Sequence, residues 1–239
     1  MKLHVLGRYG PYPAPGGACS GYLLEQGETR ILIDCGSGVF SRMLQFTDFE
    51  SVTAVILSHL HSDHMADLLI MRYAKDIRKK PLTIYAPCTP AETYDQLSRE
   101  VLFDVRPVSE NLSVDIGAVH AVFCGMTHPV ESYAVRLTHN GTSIVFSGDT
   151  NYNEKLAPFA QGASFFLCDA AFLEPEKKPG QNVPHLTARE AGRIASEANV
   201  DFLALTHIRA AHTPQEYARE AALEHAHAAV AEEGKTYII

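Results

Sequence analysis

The 239-residue sequence lacks long apolar segments and any dense set of cysteines. No stretch approaches the ~20 apolar residues that a membrane-spanning helix requires. The opening MKLHVLGRYG has one lysine and no apolar run typical of a signal peptide. The five cysteines are scattered without C-x-x-C spacing, which predicts reduced thiols rather than a disulfide framework. We therefore expect a cytoplasmic protein that does not interact with membranes.

An excess of positive charge is also missing. The chain carries 20 Lys and Arg against 28 Asp and Glu, for a formal net charge of −8. Because broad nucleic-acid-binding surfaces usually show a basic excess, we expect no such surface here. Hydrophobic residues make up 46% of the chain, which is enough for a sizeable core in one large domain over residues 1–239.

Strand and helix patterns alternate without an internal repeat. Apolar strands are predicted at 3–7, 20–26, 29–36, 52–58 and 82–87, in a meander over 112–147, and at 164–170, 201–207 and 236–239. Helices are predicted at 37–46, 66–77, 187–198 and 214–232. Strand-rich stretches that give way to helices favour two sheets packed face to face with helices outside both. The expected fold class is therefore α/β, as a single-domain, four-layer α/β/β/α sandwich.

Local signals fix several boundaries. Capping-box sequences open helices at TPAE (89–92), TARE (187–190) and TPQE (213–216). The first of these predicts Thr89 as the N-cap, with Pro90 at the first helical position. The pair Asn140-Gly141 predicts a tight hairpin turn.

Histidine and aspartate are concentrated in SHLHSDH, residues 58–64, directly after the apolar run VTAVIL. His59 and His61 are two residues apart at the predicted strand end, where both side chains can point the same way. Asp63 and His64 follow in the loop that leads to the next helix. Imidazole together with carboxylate suits zinc, and also manganese or iron.

Three more metal-capable residues each follow a separate apolar strand: His128, Asp149 and His207. Seven ligands are too many for one tetrahedral zinc and fit two cations. Two dications ~3.5–4 Å apart would share a hydroxide and make it a nucleophile near neutral pH. We assign three ligands to each cation and one as the bridge: His59, His61 and His128; Asp63, His64 and His207; and Asp149.

These motifs resemble the metallo-β-lactamase superfamily over nearly the whole chain. HLHSDH is similar to its signature, and His128, SGDT (147–150) and His207 resemble its remaining ligand motifs in order. The resemblance implies the α/β/β/α fold and a binuclear site. DCGSG (34–38) matches an early turn of the family, which implies that Asp34 orients a ligand histidine. A plain turn aspartate is the alternative.

Within the superfamily the sequence is most similar to tRNase Z-like phosphodiesterases. CDAAF (168–172) and HLTAREAGRIA (185–195) resemble two motifs of that branch, in which a histidine protonates the leaving oxygen and an acidic residue assists it. The resemblance implies that His185 is the general acid and Asp169 its partner. We also expect Asp63 to take part in catalysis. Asp169 has a side chain one methylene shorter than the glutamate that the branch carries at this position.

Only 20 residues separate His128 from Asp149. Members that process tRNA carry an arm that binds tRNA there, so tRNA processing is disfavoured. The sequence instead favours hydrolysis of a small phosphodiester, such as a cyclic nucleotide or a short oligonucleotide. The alternatives are a thioester or lactone hydrolase of the glyoxalase II or lactonase type, or a non-catalytic metal-binding module.

The expected cofactors are two divalent cations, zinc foremost, with manganese or iron as alternatives. The expected partner is a small-molecule substrate that includes a nucleotide in the favoured case, and the branch resemblance implies a homodimer. Arg209 and His212 closely follow His207 and are candidates for contact with a phosphate.

Overall fold

The computed structural model describes residues 1–74, 76–178, 181 and 183–239. The strands in this part of the chain are β1 (Lys2–Gly7), β2 (Gly21–Gln26), β3 (Thr29–Ile33), β4 (Ala54–Ile56), β5 (Leu82–Ala86), β6 (Phe103–Pro107), β7 (Ser113–Ile116), β8 (Val119–Gly125), β9 (Tyr133–His139), β10 (Thr142–Phe146), β11 (Phe165–Asp169), β12 (Leu203–Thr206), β13 (Ala228–Val230) and β14 (Thr236–Ile238). The α-helices are α1 (Val39–Met43), α2 (Ser62–Met65), α3 (Leu68–Met71), α4 (Ala91–Ser98), α5 (Leu156–Ala160), α6 (Ala188–Glu197) and α7 (Pro214–Ala221).

The strands form two seven-stranded sheets of similar design. The first has the order β14-β1-β2-β3-β4-β5-β6 and the second β13-β12-β11-β10-β9-β8-β7. In the first sheet, β14 to β3 pair antiparallel and β3 to β6 pair parallel. The second sheet likewise combines an antiparallel part, β7 to β10, with a parallel part, β10 to β13. Each parallel part places several strand ends at one edge of its sheet.

Alternating side chains along the strands separate three apolar layers. In β3, Ile31 and Ile33 join the core between the sheets, whereas Leu32 joins the layer beneath the helices. This follows from the two-residue period of a strand. Met43 of α1 and Leu97 of α4 contribute to the layer outside the first sheet. The layer outside the second sheet includes buried residues of α5, α6 and α7: Leu156, Ile194 and Tyr217. The predicted four-layer α/β/β/α sandwich is confirmed.

The two later capping boxes and the hairpin turn are confirmed. Thr187 and Thr213 form capping boxes at the starts of α6 and α7. Asn140 and Gly141 have φ of 47° and 82°, as a two-residue hairpin turn with both φ values positive requires. All five cysteines are free. Among the described residues, no helix has the length and apolar character needed to cross a bilayer.

Two predicted helices are wrong in extent. The segment 66–77 was expected to be one helix, but it contains only α3 and a short 3-10 turn, Arg72–Ala74, while Lys75 lies outside the described residues. The helix predicted over 214–232 ends at Ala221, and Ala228–Val230 instead pairs parallel with β12. Pairing with a sheet strand overrides the weak helical preference of this alanine-rich tail.

The predicted cap at Thr89 is also wrong, and the strand β6 (Phe103–Pro107) was not predicted. Pro90 is itself the residue before the first helical turn, with an extended backbone at φ −66° and ψ 135°. The unpredicted strand β6 lies at the edge of the first sheet and has two exposed charged residues, Asp104 and Arg106. Such an edge strand lacks the apolar run that identifies a central strand.

Candidate metal centre

The candidate site lies where strands of both sheets end. Strands β10, β11 and β12 are parallel neighbours, so their carboxyl ends meet at one edge of the second sheet. Asp149 follows β10, Asp169 ends β11 and His207 follows β12. The segment 59–64 follows β4 of the first sheet, and the strand ends bring all of these side chains together. This convergence places the predicted site residues at a single centre.

A first group of ligand atoms belongs to His59, His61 and His128, and these atoms lie within 4.8 Å of one another. Nε2 of His59 is 3.1 Å from Nδ1 of His61. Burial lowers the pKa of the His128 imidazole to about 4 and that of His59 well below its ordinary value. Neutral imidazoles offer lone pairs rather than charge, so three in close contact suit a cation.

The second group contains Asp63, His64, Asp149 and His207, again within 4.8 Å. Nε2 of His207 is 3.1 Å from Asp63 Oδ2. Nε2 of His64 is buried and has no hydrogen-bond partner among the described residues. A buried ring nitrogen without a partner is costly. A cation between the two carboxylates would give this nitrogen a ligand role, so the donor set fits a divalent metal.

Asp149 connects the two groups. Its Oδ2 lies 3.7 Å from Nε2 of His59, 3.3 Å from Nε2 of His64 and 3.2 Å from Nε2 of His207. Burial opposes its charge, but the neighbouring imidazoles of His207, His64 and His59 hold the pKa of the carboxyl well below its usual range. One carboxylate oxygen between two sets of nitrogens is the arrangement expected of a bridging ligand.

The seven residues thus fit a pair of divalent cations, with zinc suited to such imidazole and carboxylate donors. The division into two sets of three and a bridge matches the proximity of the side chains. The individual ligand roles stay predictions.

The predicted contact of Asp34 with a ligand histidine is present. The buried carboxylate of Asp34 accepts hydrogen bonds from Ser20 Oγ, Ser58 N and Ser58 Oγ at 2.9, 2.8 and 3.1 Å, and it contacts His64. Ser58 Oγ also lies 3.1 Å from Nδ1 of His59. No sequence pattern indicates this role of Ser58, because a serine before a histidine motif has no distinctive spacing of its own.

The side chains of His185 and Asp169 are also in contact. Nδ1 of His185 is 3.0 Å from Oδ2 of Asp169, which is fully buried. The backbone N–H groups of Thr150 and Ala171 donate to the same carboxylate at 3.2 and 3.1 Å. Burial disfavours the charged form of His185, but Asp169 raises the pKa of His185 to about 9. The carboxylate is therefore fixed in place and orients the imidazole.

Asp169, His185 and His207 form a third close group. The rings of His185 and His207 stack with centroids 4.8 Å apart. Because the family resemblance gives His185 the role of general acid, His185 stands outside the predicted ligand set.

Arg209 and His212 both contact Glu176. Nη1 of Arg209 and Nε2 of His212 lie 3.2 and 3.1 Å from Glu176 Oε1. This carboxylate offsets the positive charge of the Arg209 guanidinium. Their contact with a phosphate stays a prediction.

Gly10 is a site residue that composition and motif did not single out. A Cβ at this position would lie 1.9 Å from Nε2 of His207. The backbone N–H of Gly10 donates to the carbonyl of Ile208 at 3.3 Å. This hydrogen bond joins the loop after β1 to the end of β12, where His207 lies. Any side chain at residue 10 would therefore displace His207.

Comparison with known proteins agrees with this architecture. A family model described as "Beta-lactamase superfamily domain" matches residues 29–208. The chain is 32% identical over 214 residues to "Probable metallo-hydrolase YhfI" of Bacillus subtilis (strain 168), with 87% of each protein covered. A crystal structure of the YhfI protein matches with a TM-score of 0.93 and 31% identity, over 99% of this chain and 98% of that one.

A more distant sequence relative and a structural neighbour are also informative. "Ribonuclease Z" of Archaeoglobus fulgidus is 25% identical over 268 residues, with 87% of each protein covered. A structure described as a new diphosphatase from the PhnP family has a TM-score of 0.80 at 17% identity, over 99% of this chain and 96% of that one, and shows a shared fold alone. The family model and the YhfI match together show that the chain belongs to the β-lactamase superfamily, as a metallo-hydrolase of the metallo-β-lactamase fold.

Proposed function

We propose that the protein hydrolyses a small phosphodiester, such as a cyclic nucleotide or a short oligonucleotide. The observation that carries the proposal is the His185–Asp169 pair, with Nδ1 and Oδ2 3.0 Å apart. The same Nδ1 is 3.8 Å from Asp149 Oδ2, so the pair borders the candidate metal ligands. A phosphodiester expels an alkoxide, which needs a proton. A thioester expels a thiolate, which needs none.

The proposed cofactors are two divalent cations, with zinc foremost and manganese or iron as alternatives. His59, His61 and His128 would hold one, and Asp63, His64 and His207 the other, with Asp149 shared. When bound, such cations activate a water molecule and offset the charge of the phosphate oxygens. The seven ligand residues would fix the positions of both cations.

The role of His185 follows from its two ring nitrogens. Nδ1 donates to Asp169, which leaves Nε2 to carry the proton for the leaving oxygen. In hydrolysis, the water oxygen bonds to phosphorus and releases one proton to solvent, and the bond from phosphorus to the leaving oxygen breaks. That oxygen takes the proton from Nε2 of His185, and the neutral imidazole recovers a proton from solvent. Asp169 holds the ring throughout.

The surroundings of the site support a small substrate. A cavity of about 230 Å³ beside the centre is lined by Thr127, His128, Pro129, Asn151 and Pro184. Between the ligands His128 and Asp149 the chain forms the short hairpin of β9 and β10 rather than an arm. The Ribonuclease Z relative supports phosphodiester chemistry, while a net charge of −8 disfavours a broad nucleic-acid face. Assembly as a homodimer stays a prediction.

A substrate panel tests the proposal. The protein, loaded with zinc and separately with manganese, is assayed against bis(p-nitrophenyl) phosphate, a cyclic nucleotide, a lactone and a glutathione thioester. We expect the highest kcat/KM on a phosphodiester. Faster turnover of the lactone or the thioester would contradict the proposal in favour of the lactonase or glyoxalase II type. If the protein binds metal but turns over no substrate, it is a non-catalytic metal-binding module and the proposal is wrong.

A further inference from the structure

Lys177 is a largely buried lysine beside the candidate site. Only 12% of its side chain is exposed. Its Nζ donates to Oδ1 of Asn151 at 2.8 Å, to the backbone carbonyl of His185 at 3.1 Å, and to the carboxylate of Glu190 at 2.8 and 3.0 Å. An ammonium group has three N–H donors. Each of these three residues therefore receives one of them.

We propose that Lys177 is a positioning residue that holds His185 in the orientation in which its ring reaches Asp169. The inference rests on the proposed function, because His185 is the general acid only in that account. It goes beyond that account in assigning a role to a residue that lies outside the motifs of the site. Lys177 acts through His185 and has no role in binding a cation.

The three partners of Lys177 belong to three segments around the site. Asn151 is two residues after Asp149, and Glu190 lies in the first turn of α6. Glu190 also accepts a hydrogen bond from the backbone N–H of Thr187 at 2.8 Å, and Thr187 Oγ1 accepts one from Glu190 N at 3.1 Å. Lys177 therefore joins the backbone of His185 to the start of a capped helix on one side and to the loop after Asp149 on the other.

A simpler contact is made by Lys155. Lys155 is 54% exposed and its Nζ lies 3.1 Å from one carboxylate, that of Glu110. An exposed pair of this kind contributes little to stability. A largely buried ammonium loses hydration and is retained only where acceptors replace the lost water. Lys177 has three such acceptors, and one of them is the backbone of the proposed general acid.

The first test measures the imidazole of His185 directly. Histidine ring ¹⁵N resonances are recorded for the metal-free protein, and His185→Ala identifies the His185 signals by their loss. Lys177→Met keeps the length of the side chain and removes its donors, while Lys155→Met is the matched control. We expect K177M to shift or broaden the His185 signals, K155M to leave them unchanged and Lys177→Arg to restore them in part. Unchanged His185 signals in K177M would overturn the proposal.

Kinetics of the zinc-loaded protein provide the second test. With an alkyl phosphodiester, K177M should lower kcat by up to about 10²-fold, the scale of a small misplacement of a catalytic group, with little change in KM. Bound metal should stay equal to that of the unmutated protein. In the His185→Ala background, K177M should cause no further loss. An equal loss in both backgrounds would overturn the proposal.

The two tests separate failure of the positioning role from failure of the proposed function. If His185→Ala alone leaves turnover of the alkyl phosphodiester unchanged, the general-acid role is wrong, and the ring resonances still decide whether Lys177 positions His185. Should K177M fail to fold, Lys177→Ala, which also removes the donors but leaves room for water beside Glu190, takes its place in both tests. Loss of the His185 orientation in that variant supports the proposal, and an unchanged orientation overturns it.

Discussion

Asp34 Oδ2 and His64 Nδ1 lie 2.7 Å apart, with both side chains fully buried. The other ring nitrogen of His64, Nε2, is 3.4 Å from Asp63 Oδ2 and 3.3 Å from Asp149 Oδ2. A hydrogen bond from Nδ1–H to Asp34 fixes the tautomer in which Nε2 presents its lone pair to a cation. Asp34 thus orients a candidate metal ligand without entering the site.

Asp34→Asn tests this orientation. The amide N–H of asparagine would face the groups of Ser20, Ser58 and His64 that donate hydrogen bonds to the carboxylate of Asp34. Asparagine tolerates the positive φ of 54° at this position, so the backbone should not change. We expect affinity for the cation at His64 to fall by roughly 10–100-fold, the usual effect of losing such a supporting contact. Metal titration with a competing chelator measures the change. The control is Asp67→Asn, whose carboxylate accepts a hydrogen bond from Phe40 N instead. Equal affinity in Asp34→Asn and the unmutated protein would contradict the role of Asp34.

Asp149→Ala tests the bridge. Asp149 Oδ2 lies near nitrogens of both ligand groups, so its loss removes the negative charge that offsets the repulsion of two dications. We expect one of the two cations to be lost or weakly bound and activity to collapse for every substrate. Elemental analysis after dialysis and the substrate panel measure both effects. Asp115→Ala removes an exposed carboxylate and should change neither. Retention of two tightly bound cations in Asp149→Ala would show that Asp149 is not the bridge.

His185→Ala separates proton transfer from metal binding. Both cations should stay bound, because His185 is not among the seven proposed ligands and its Nδ1 contacts Asp169. Turnover of alkyl or ribose phosphodiesters should fall by ~10²–10⁴-fold, the contribution of a general acid. The loss should shrink for p-nitrophenyl esters, whose leaving group needs little protonation. Since His185 lies close to Asp169 and His207, loss of a metal in this variant would place it among the ligands.

Thr187→Ala tests the cap that precedes α6. Thr187 Oγ1 accepts a hydrogen bond from Glu190 N, and its removal should lower the free energy of unfolding by about 1 kcal/mol. Urea unfolding of metal-free protein measures the change. Thr89→Ala is the matched control, because Thr89 does not cap α4 and should change stability by less than ~0.5 kcal/mol. A larger effect at Thr89 than at Thr187 would contradict the observed caps.

The overall fold and the convergence of the candidate ligands follow from patterns that the sequence carries locally. Strand periodicity and apolar runs predict two sheets, and a polar residue at the end of a parallel strand faces the same edge as its neighbours. This logic correctly grouped His128, Asp149 and His207 with the segment 59–64. The contact of His185 with Asp169 was implied by family resemblance, not by any local pattern.

Features that depend on distant contacts could not be predicted in this way. The alanine-rich tail after Ala221 has helical preference, but its partner strand β12 makes part of it a strand. Lys177 resembles a surface lysine, since its three acceptors are separated from it by 8, 13 and 26 positions along the chain. Gly10 contacts His207 across nearly the whole chain, and only the folded structure shows why a side chain is excluded there.

The central claim is that seven histidine and aspartate side chains hold two cations that together support hydrolysis. Its most direct test loads metal-free protein with increasing zinc and measures bound metal and phosphodiesterase activity in the same samples. We expect saturation near two cations per chain, with full activity only as the second cation binds. Saturation at one cation per chain, with activity already at its maximum and unchanged by further metal, would contradict it.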